Sequence, residues 1–298
     1  MVSEHVAGSL KYLNSEAALA SLDQDIYWPK WDSPWWHMLL LHEMGETHSI
    51  PAAAAEALAT HLTNSPSTEF TSGEDCHCHC ALGNIYQMLM ARGVDVDGRM
   101  PWMRDWFLRY QMADGGLNCD PDAYHVEGEC PSSMVATISP FESVLLYTDR
   151  PWTAEEIQFL DRAAEFLQRR ELWQGSPTVQ NAEEREQAKA WLNLSFPRFY
   201  LYDVLRGLHA LLVWADKRQV RLERKKFAKV LDHLGRGVGI GRQAYAGVGT
   251  RVPLGEGKFQ REQESVFPLL HAVSQNGPSP HLENQWRKCQ ELAALWLR

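Results

Sequence analysis

No stretch of this chain approaches the roughly 20 uninterrupted apolar residues that a bilayer-spanning helix needs. The first twenty residues, with Glu4, His5, Lys11 and Glu16 among them, lack the continuous apolar core of a secretory signal or membrane anchor. Positive charge is in deficit: 29 Lys and Arg face 38 Asp and Glu, for a net charge of −9. Such a chain has no general attraction to phosphate backbones, so nucleic acid is not an expected partner. Alternating β-branched runs are nearly missing, which argues against a sheet fold. Nucleotide fingerprints are missing too. The glycines between Gly235 and Gly241 do not follow a strand or match G-x-G-x-x-G, and no G-x-x-x-x-G-K-[ST] occurs. These absences leave a soluble protein, expected in the cytoplasm, where thiols stay reduced and clustered cysteines point to metal or redox chemistry.

What the chain does have is helix after helix. Apolar runs with helical spacing occur around Trp35 to Met44, Ala81 to Met90, Met134 to Tyr147, Tyr202 to Trp214 and Ser265 to Val273. More polar, amphipathic runs lie between them: Ala52 to Leu62, Trp102 to Gln111, Ala154 to Arg169, Glu223 to Leu234 and Leu282 to Leu297. An apolar helix followed by a charged one, repeated about five times every 45 to 70 residues or so, predicts stacked or ring-closed helical hairpins. The apolar member faces inward and the charged one faces water. Gly45 and Gly93 fall where glycine ends helices, and Pro51, Pro101 and Pro151 fall near the starts of polar ones. At 298 residues the chain is read as one all-α domain over 1–298, with irregular insertions near 173–196 and 235–260.

Cysteine is scarce, six in all, yet Glu74-Asp75-Cys76-His77-Cys78-His79-Cys80 holds three of them. Cys119 and Cys130 follow in one polar loop with Asp120, His125, Glu127 and Glu129. If hairpins close into a ring, the loops that start neighbouring inner helices gather at one mouth, and residues about 50 apart in sequence become neighbours. The soft donors Cys76, Cys78, Cys80, Cys119 and Cys130, with His125, therefore predict a thiolate-rich tetrahedral zinc site. A helix N-terminus beside them favours the thiolate. A redox dithiol pair and inert packing are the competing readings, and Cys289, alone on the last helix, reads as a small buried hydrophobe.

Several blocks resemble a known family. Gln111-Met112-Ala113-Asp114-Gly115-Gly116-Leu117 is similar to the Q-x-x-D-G-G-W element of the squalene cyclase and protein prenyltransferase superfamily, with Leu117 in place of the tryptophan. Cys80-Ala81-Leu82-Gly83-Asn84, Asp114 to Cys119, and Phe196-Pro197-Arg198 running to Tyr202-Asp203-Val204-Leu205-Arg206 resemble bacterial prenyltransferase/squalene-cyclase-like members, over roughly residues 28 to 272. The resemblance implies an α/α toroid. It also implies a zinc arrangement like that of the farnesyltransferase β subunit, whose inner helix starts bring an Asp-x-Cys pair and a His together, and it leaves a second subunit possible. The Asp-x-Asp-Asp acid of triterpene cyclases and an Asp-rich magnesium cluster are both missing, so neither of those chemistries is expected.

The functional expectation is a metal-dependent enzyme, with zinc as the ion, acting on a hydrophobic or isoprenoid-like small molecule in a central aromatic cavity. Trp35, Trp36, Tyr124, Tyr200, Tyr202 and His209 are the expected substrate-binding residues, since aromatic faces hold apolar chains and stabilise cations. Asp75, His77 and Asp120 are the expected proton-transfer groups. The alternative is a non-enzymatic toroid that binds a ligand or partner and is stapled by a structural metal site. A carbohydrate-active barrel would need paired carboxylates facing each other, for which Glu43, Glu46, Glu142 and Asp203 are available without diagnostic spacing.

Overall fold

The computed structural model describes residues 2–24, 26–27, 30–64, 78–244, 250–255, 258–262 and 266–298. The expected roles of Asp75, Cys76 and His77 therefore fall outside the described residues. Fourteen α-helices are described: α1 (Val2–Leu13), α2 (Glu16–Gln24), α3 (Pro34–Glu43), α4 (Ala52–Asn64), α5 (His79–Arg92), α6 (Val96–Arg99), α7 (Pro101–Arg109), α8 (Met134–Leu146), α9 (Ala154–Arg169), α10 (Glu183–Ala188), α11 (Val204–Arg218), α12 (Ala228–Gly235), α13 (Pro268–Val273) and α14 (Pro280–Trp296). The fold is all-helical apart from one antiparallel ribbon of β1 (Thr250–Gly255) on β2 (Lys258–Glu262). No described helix is long and apolar enough to cross a membrane.

The four long apolar runs become the buried helices. α3 starts on Pro34, whose missing N–H costs nothing at a first turn, and every residue from Pro34 to Leu41 is buried. α5 ends at Gly93, left-handed at φ 92°, whose N–H bonds back to Leu89 O and Met90 O. α8 and α11 begin on the side-chain caps Ser133 and Asp203. The charged α9 begins on a full capping box, Thr153 with Glu156. The fifth apolar run yields only the short α13. In the amino-terminal helices, buried side chains on α1 (Ser9, Leu13) and α2 (Ala18, Leu22) are spaced four apart among polar ones, a signal too sparse to read without the neighbours they pack on.

The buried helices pack in chain order, α3 on α5, α5 on α8, α8 on α11, and α11 on α14, while α1 touches both α3 and α13. The α5–α8 contact is the closest. A Cβ on Gly83 would stand 2.6 Å from the carbonyl carbon of Ser139 and 2.7 Å from Pro140 N. Ser143 Oγ donates to Gly83 O at 2.9 Å, and Gln87 Nε2 donates to Ser139 O at 2.9 Å. The Asp114-Gly115-Gly116 turn works as its residue types require. Gly115 sits at φ 90°, a Cβ there would lie 2.2 Å from Arg162 O, and Gly116 N donates to Asp114 Oδ1 at 3.1 Å. Gln111 Nε2 donates to Gly115 O and to Phe159 O of α9, both at 2.9 Å, so one amide ties consecutive hairpins together.

Because the obstacle at Gly83 is backbone, Gly83→Ala is expected to destabilise by about 1–3 kcal/mol, the cost of overpacking a tight contact. Gly8→Ala in α1, where nothing lies within 4 Å, is expected to be neutral or slightly stabilising. Urea midpoints check both. Equal midpoints for the two variants would contradict the close approach of α5 to α8.

Candidate active site

Three cysteines from two separate segments meet at the start of α5. Cys78 is the residue before the first helical turn, with φ −59° and ψ 130°, and Cys80 lies in that turn. Cys119 arrives on the loop that leaves the Gly115-Gly116 turn, and its thiol is 3.4 Å from Cys80 Sγ. Cys78 is in thiol hydrogen-bond contact with both. The three sulfurs do not share charge evenly. Contacts from Cys119 and then Cys80 pull the Cys78 thiol well below its ordinary range, with smaller help from Lys30. The Cys119 thiol is pushed up, first by its contact with Cys78 and then by Cys80 and burial. At Cys80 the Cys119 contact pulls down, but the Cys78 contact and burial outweigh it. The Cys78 thiol is thus the one held low, beside a helix N-terminus that favours its thiolate.

The cluster forms part of the wall of a cavity of about 820 Å³. Its aromatic lining is Tyr27, Trp191, Tyr200 and Tyr202, its aliphatic lining includes Val135, Ala136 and Leu201, and Asn118, Asp120, Asn181, Gln187 and Arg242 supply polar groups. The starts of α5 and α8 and the segment leading into α11 all contribute. Beside it, Lys30 Nζ stands 4.8 Å from the Trp31 ring and 5.0 Å from the Tyr200 ring, a cation held over aromatic faces. Arg242 donates from Nη2 to Ser195 Oγ at 3.3 Å, and its buried Nε has no hydrogen-bond partner among the described residues.

The expected site residues divide. Cys78, Cys80, Cys119, Asp120, Tyr200 and Tyr202 come together around this cavity. Tyr124 stands behind it: its hydroxyl is 3.1 Å from His79 Nε2, accepts from Asn118 N at 3.0 Å and donates to Asn118 O at 3.1 Å, so it braces the Cys119 loop against α5. Trp35 and Trp36 are fully buried, edge-to-face with each other, and Trp36 packs on Trp31 and Phe199; neither lines a cavity described below or above. His125 is exposed at the end of a 3-10 turn and Cys130 is half-buried, and both lie off the cavity walls. Asp120 caps that same turn by accepting from Asp122 N at 3.0 Å. Cys289 is fully buried and its thiol is pushed up to about 12 by burial. Among the described residues no three His, Cys, Asp or Glu side chains form a group able to hold a metal ion. Asn181, Gln187 and Arg242 went unread because they lie in the two irregular insertions, where no periodicity marks a wall.

A second cavity, of about 320 Å³, lies further along the same helices. It takes His42 and Glu43 from α3, Asn84 and Gln87 from α5, Glu142 from α8, Arg206 and His209 from α11, and His281, Gln285 and Lys288 from α14. Arg206 binds Glu142 through Nη2 at 2.6 Å and Nε at 3.0 Å. Glu43 accepts backbone N–H from Arg198 at 2.7 Å and Phe199 at 2.5 Å, and burial still raises its carboxyl above the usual range. His42 bridges Thr47 Oγ1 at 2.9 Å and the Tyr147 hydroxyl at 3.2 Å. Burial pushes both His42 and His209 down to about 4. The available carboxylates Glu43 and Glu142 thus share one cavity, while Asp203 pairs with Arg198 at 2.7 Å behind it.

No protein-family model, curated protein or solved structure matches this chain.

Two outcomes follow from the charge pattern. Iodoacetamide at pH 6 should alkylate Cys78 well ahead of Cys119 and Cys289, read by peptide mass spectrometry. Preferential labelling of Cys119 would contradict the charge placement. For the histidines, folded values near 4 lie below the unfolded value near 6.5, so the unfolded chain binds more protons in that interval. Their contribution to stability is complete above pH 6.5 and is lost as pH falls through about 4. The urea midpoint should fall over that window and His209→Gln should flatten the fall; an unchanged slope would contradict a neutral, buried His209.

Proposed function

We propose that this chain is an α/α toroid of prenyltransferase and terpenoid-cyclase ancestry, an enzyme acting on a hydrophobic small molecule of isoprenoid size. The Cys78–Cys80–Cys119 cluster is its reactive centre and zinc is the ion it serves. The observation that carries this reading is the meeting of three thiols, from segments about 40 residues apart in sequence, on the wall of an aromatic cavity of about 820 Å³. That volume lies in the range of small-molecule sites. Successive packing of α3, α5, α8 and α11, with the starts of α5, α8 and α11 around one cavity, supports the toroid.

The donors suit a thiophilic ion by chemistry. Thiolates bound to tetrahedral zinc stand about 3.8 Å apart for bonds of about 2.3 Å, close to the 3.4 Å between Cys80 and Cys119. Among the described residues no group of three His, Cys, Asp or Glu is placed to hold an ion, and Cys76 and His77, the other donors the sequence offers, lie outside them. Zinc, when bound, supplies a Lewis acid for the substrate's reacting atom or a bound water. The chain's own groups do the rest. Tyr27, Trp191, Tyr200 and Tyr202 hold the apolar body and exclude water, Arg242 faces a polar end, and Asp120 exchanges protons where the cavity opens.

A second reading rests on the lowered Cys78 thiol: Cys78 itself is the nucleophile, poised by contact with two neighbouring thiols and needing no ion. Elemental analysis of protein purified without a metal-affinity tag separates the two. About one equivalent of zinc, lost in both Cys80→Ala and Cys119→Ala while the fold is retained, supports the zinc enzyme. Zero zinc, with Cys78 still reactive, supports the nucleophile. X-ray absorption showing four protein ligands and no exchangeable position would sink catalysis by the ion and leave a structural staple.

A further inference from the structure

The inner cavity is lined in the opposite sense to a core. Protein interiors are apolar, and the polar groups they do enclose are paired. Here α3, α5, α8, α11 and α14 turn mostly polar side chains toward one space of about 320 Å³. Its charges are already answered. Glu142 is held by Arg206, Asp203 holds Arg198, and Glu43 accepts two backbone N–H groups. Apart from the exposed Lys288, the groups left unanswered among the described residues are neutral. The His209 ring lies among Glu142, Arg198 and Lys288 and makes no hydrogen bond among the described residues. The Gln285 side-chain oxygen is buried on the same wall with no hydrogen-bond partner among the described residues. The Tyr147 hydroxyl is fixed at the cavity by His42, which Thr47 fixes in turn.

We propose that this cavity is a binding site for a small neutral polyhydroxylated molecule, of the size of a monosaccharide or cyclitol. A hydroxyl both donates and accepts, which is what a wall of imidazole, carboxamide and phenol groups can match on each side. An apolar guest would leave those groups desolvated and unmet. A charged guest would lose its hydration with only the exposed Lys288 unpaired to receive it. Burial keeps His42 and His209 in their neutral forms near neutral pH, so neither offers a cation. The parallel stack of Phe196 on His281, 4.3 Å between centroids and 3° between planes, adds a flat wall against which the C–H face of a ring can lie. The site is separate from the thiol cavity, and the two share none of their lining residues.

Saturation-transfer NMR on the full chain tests this with D-glucose, D-galactose and myo-inositol as neutral probes, acetate and inorganic phosphate as charged ones, and farnesol as the apolar one. The expected result is transfer to at least one neutral probe, an affinity at least ten-fold weaker in His209→Ala and in Gln285→Leu, and no change in Cys78→Ser. Gln285 lies on the partly exposed α14, so its variant carries the test if His209→Ala does not fold. Transfer to none of the neutral probes would mean a solvent-filled cavity only and overturn the proposal. Tighter binding of acetate or phosphate, or neutral-probe binding unchanged in both variants, would overturn it too. Loss of sugar binding in Cys78→Ser would place the guest in the thiol cavity and refute the second site, while leaving the zinc reading to its own test.

Discussion

Arg206 is the interaction on which both cavities depend. Its guanidinium is enclosed by protein and every face of it is used: Nε and Nη2 on Glu142 of α8, Nη2 also on Asn84 of α5 at 3.3 Å and Ser139 at 3.1 Å, and Nη1 on the carbonyls of Phe199 at 2.9 Å and Leu201 at 3.0 Å. One side chain of α11 thereby pins two neighbouring helices and the segment that carries Tyr200 and Tyr202. Breaking a buried pair of this kind costs about 3–5 kcal/mol, because the abandoned charge stays desolvated. Asn84 passes the constraint on, donating to Cys80 O at 2.9 Å. The first turn of α5, and with it the thiol cluster, is therefore held from inside the helix bundle as well as by Tyr124 from the loop outside.

That arrangement explains why a reactive group and a polar interior coexist in one helical frame. The buried helices approach closely where a glycine permits it, as Gly83 does against Ser139, and there the contact is backbone on backbone. Away from that contact the same helices line a cavity with charges that neutralise one another. Toward the starts of the same helices the walls turn aromatic. Contact among the three thiols pushes the Cys78 thiol down and those of Cys80 and Cys119 up. A chain of acidic composition can hold such a centre because the local helix terminus and Lys30, not the net charge, set its surroundings.

Much of the frame was legible before any coordinate. α3, α5, α8 and α11 stand where the apolar runs put them, and α9 covers the expected 154–169. The convergence of Cys80 with Cys119 was legible from topology. Cys78, expected with them, joins the pair, but Cys130, equally expected, does not, because the loop from Asp120 to Pro131 is turned by its 3-10 segment and by Asn118 Nδ2 donating to Pro131 O, features without periodicity. Trp35 and Trp36 illustrate a different limit. On a helix apolar all round, pattern cannot say which face meets a cavity and which fills a gap.

What the sequence by itself determined is helix placement, the inward character of four helices and the presence of a dense thiol segment, since these follow from local periodicity, caps and composition. Which side chains share a space was decided only by tertiary structure. Glu43 and Glu142, 99 positions apart in the numbering, carry no common local signal, and neither do Cys78 and Arg242. They meet because helices of fixed length, packed through particular close contacts, bring distant turns to the same height, and that registry is a property of the packed surfaces and not of any one stretch of chain.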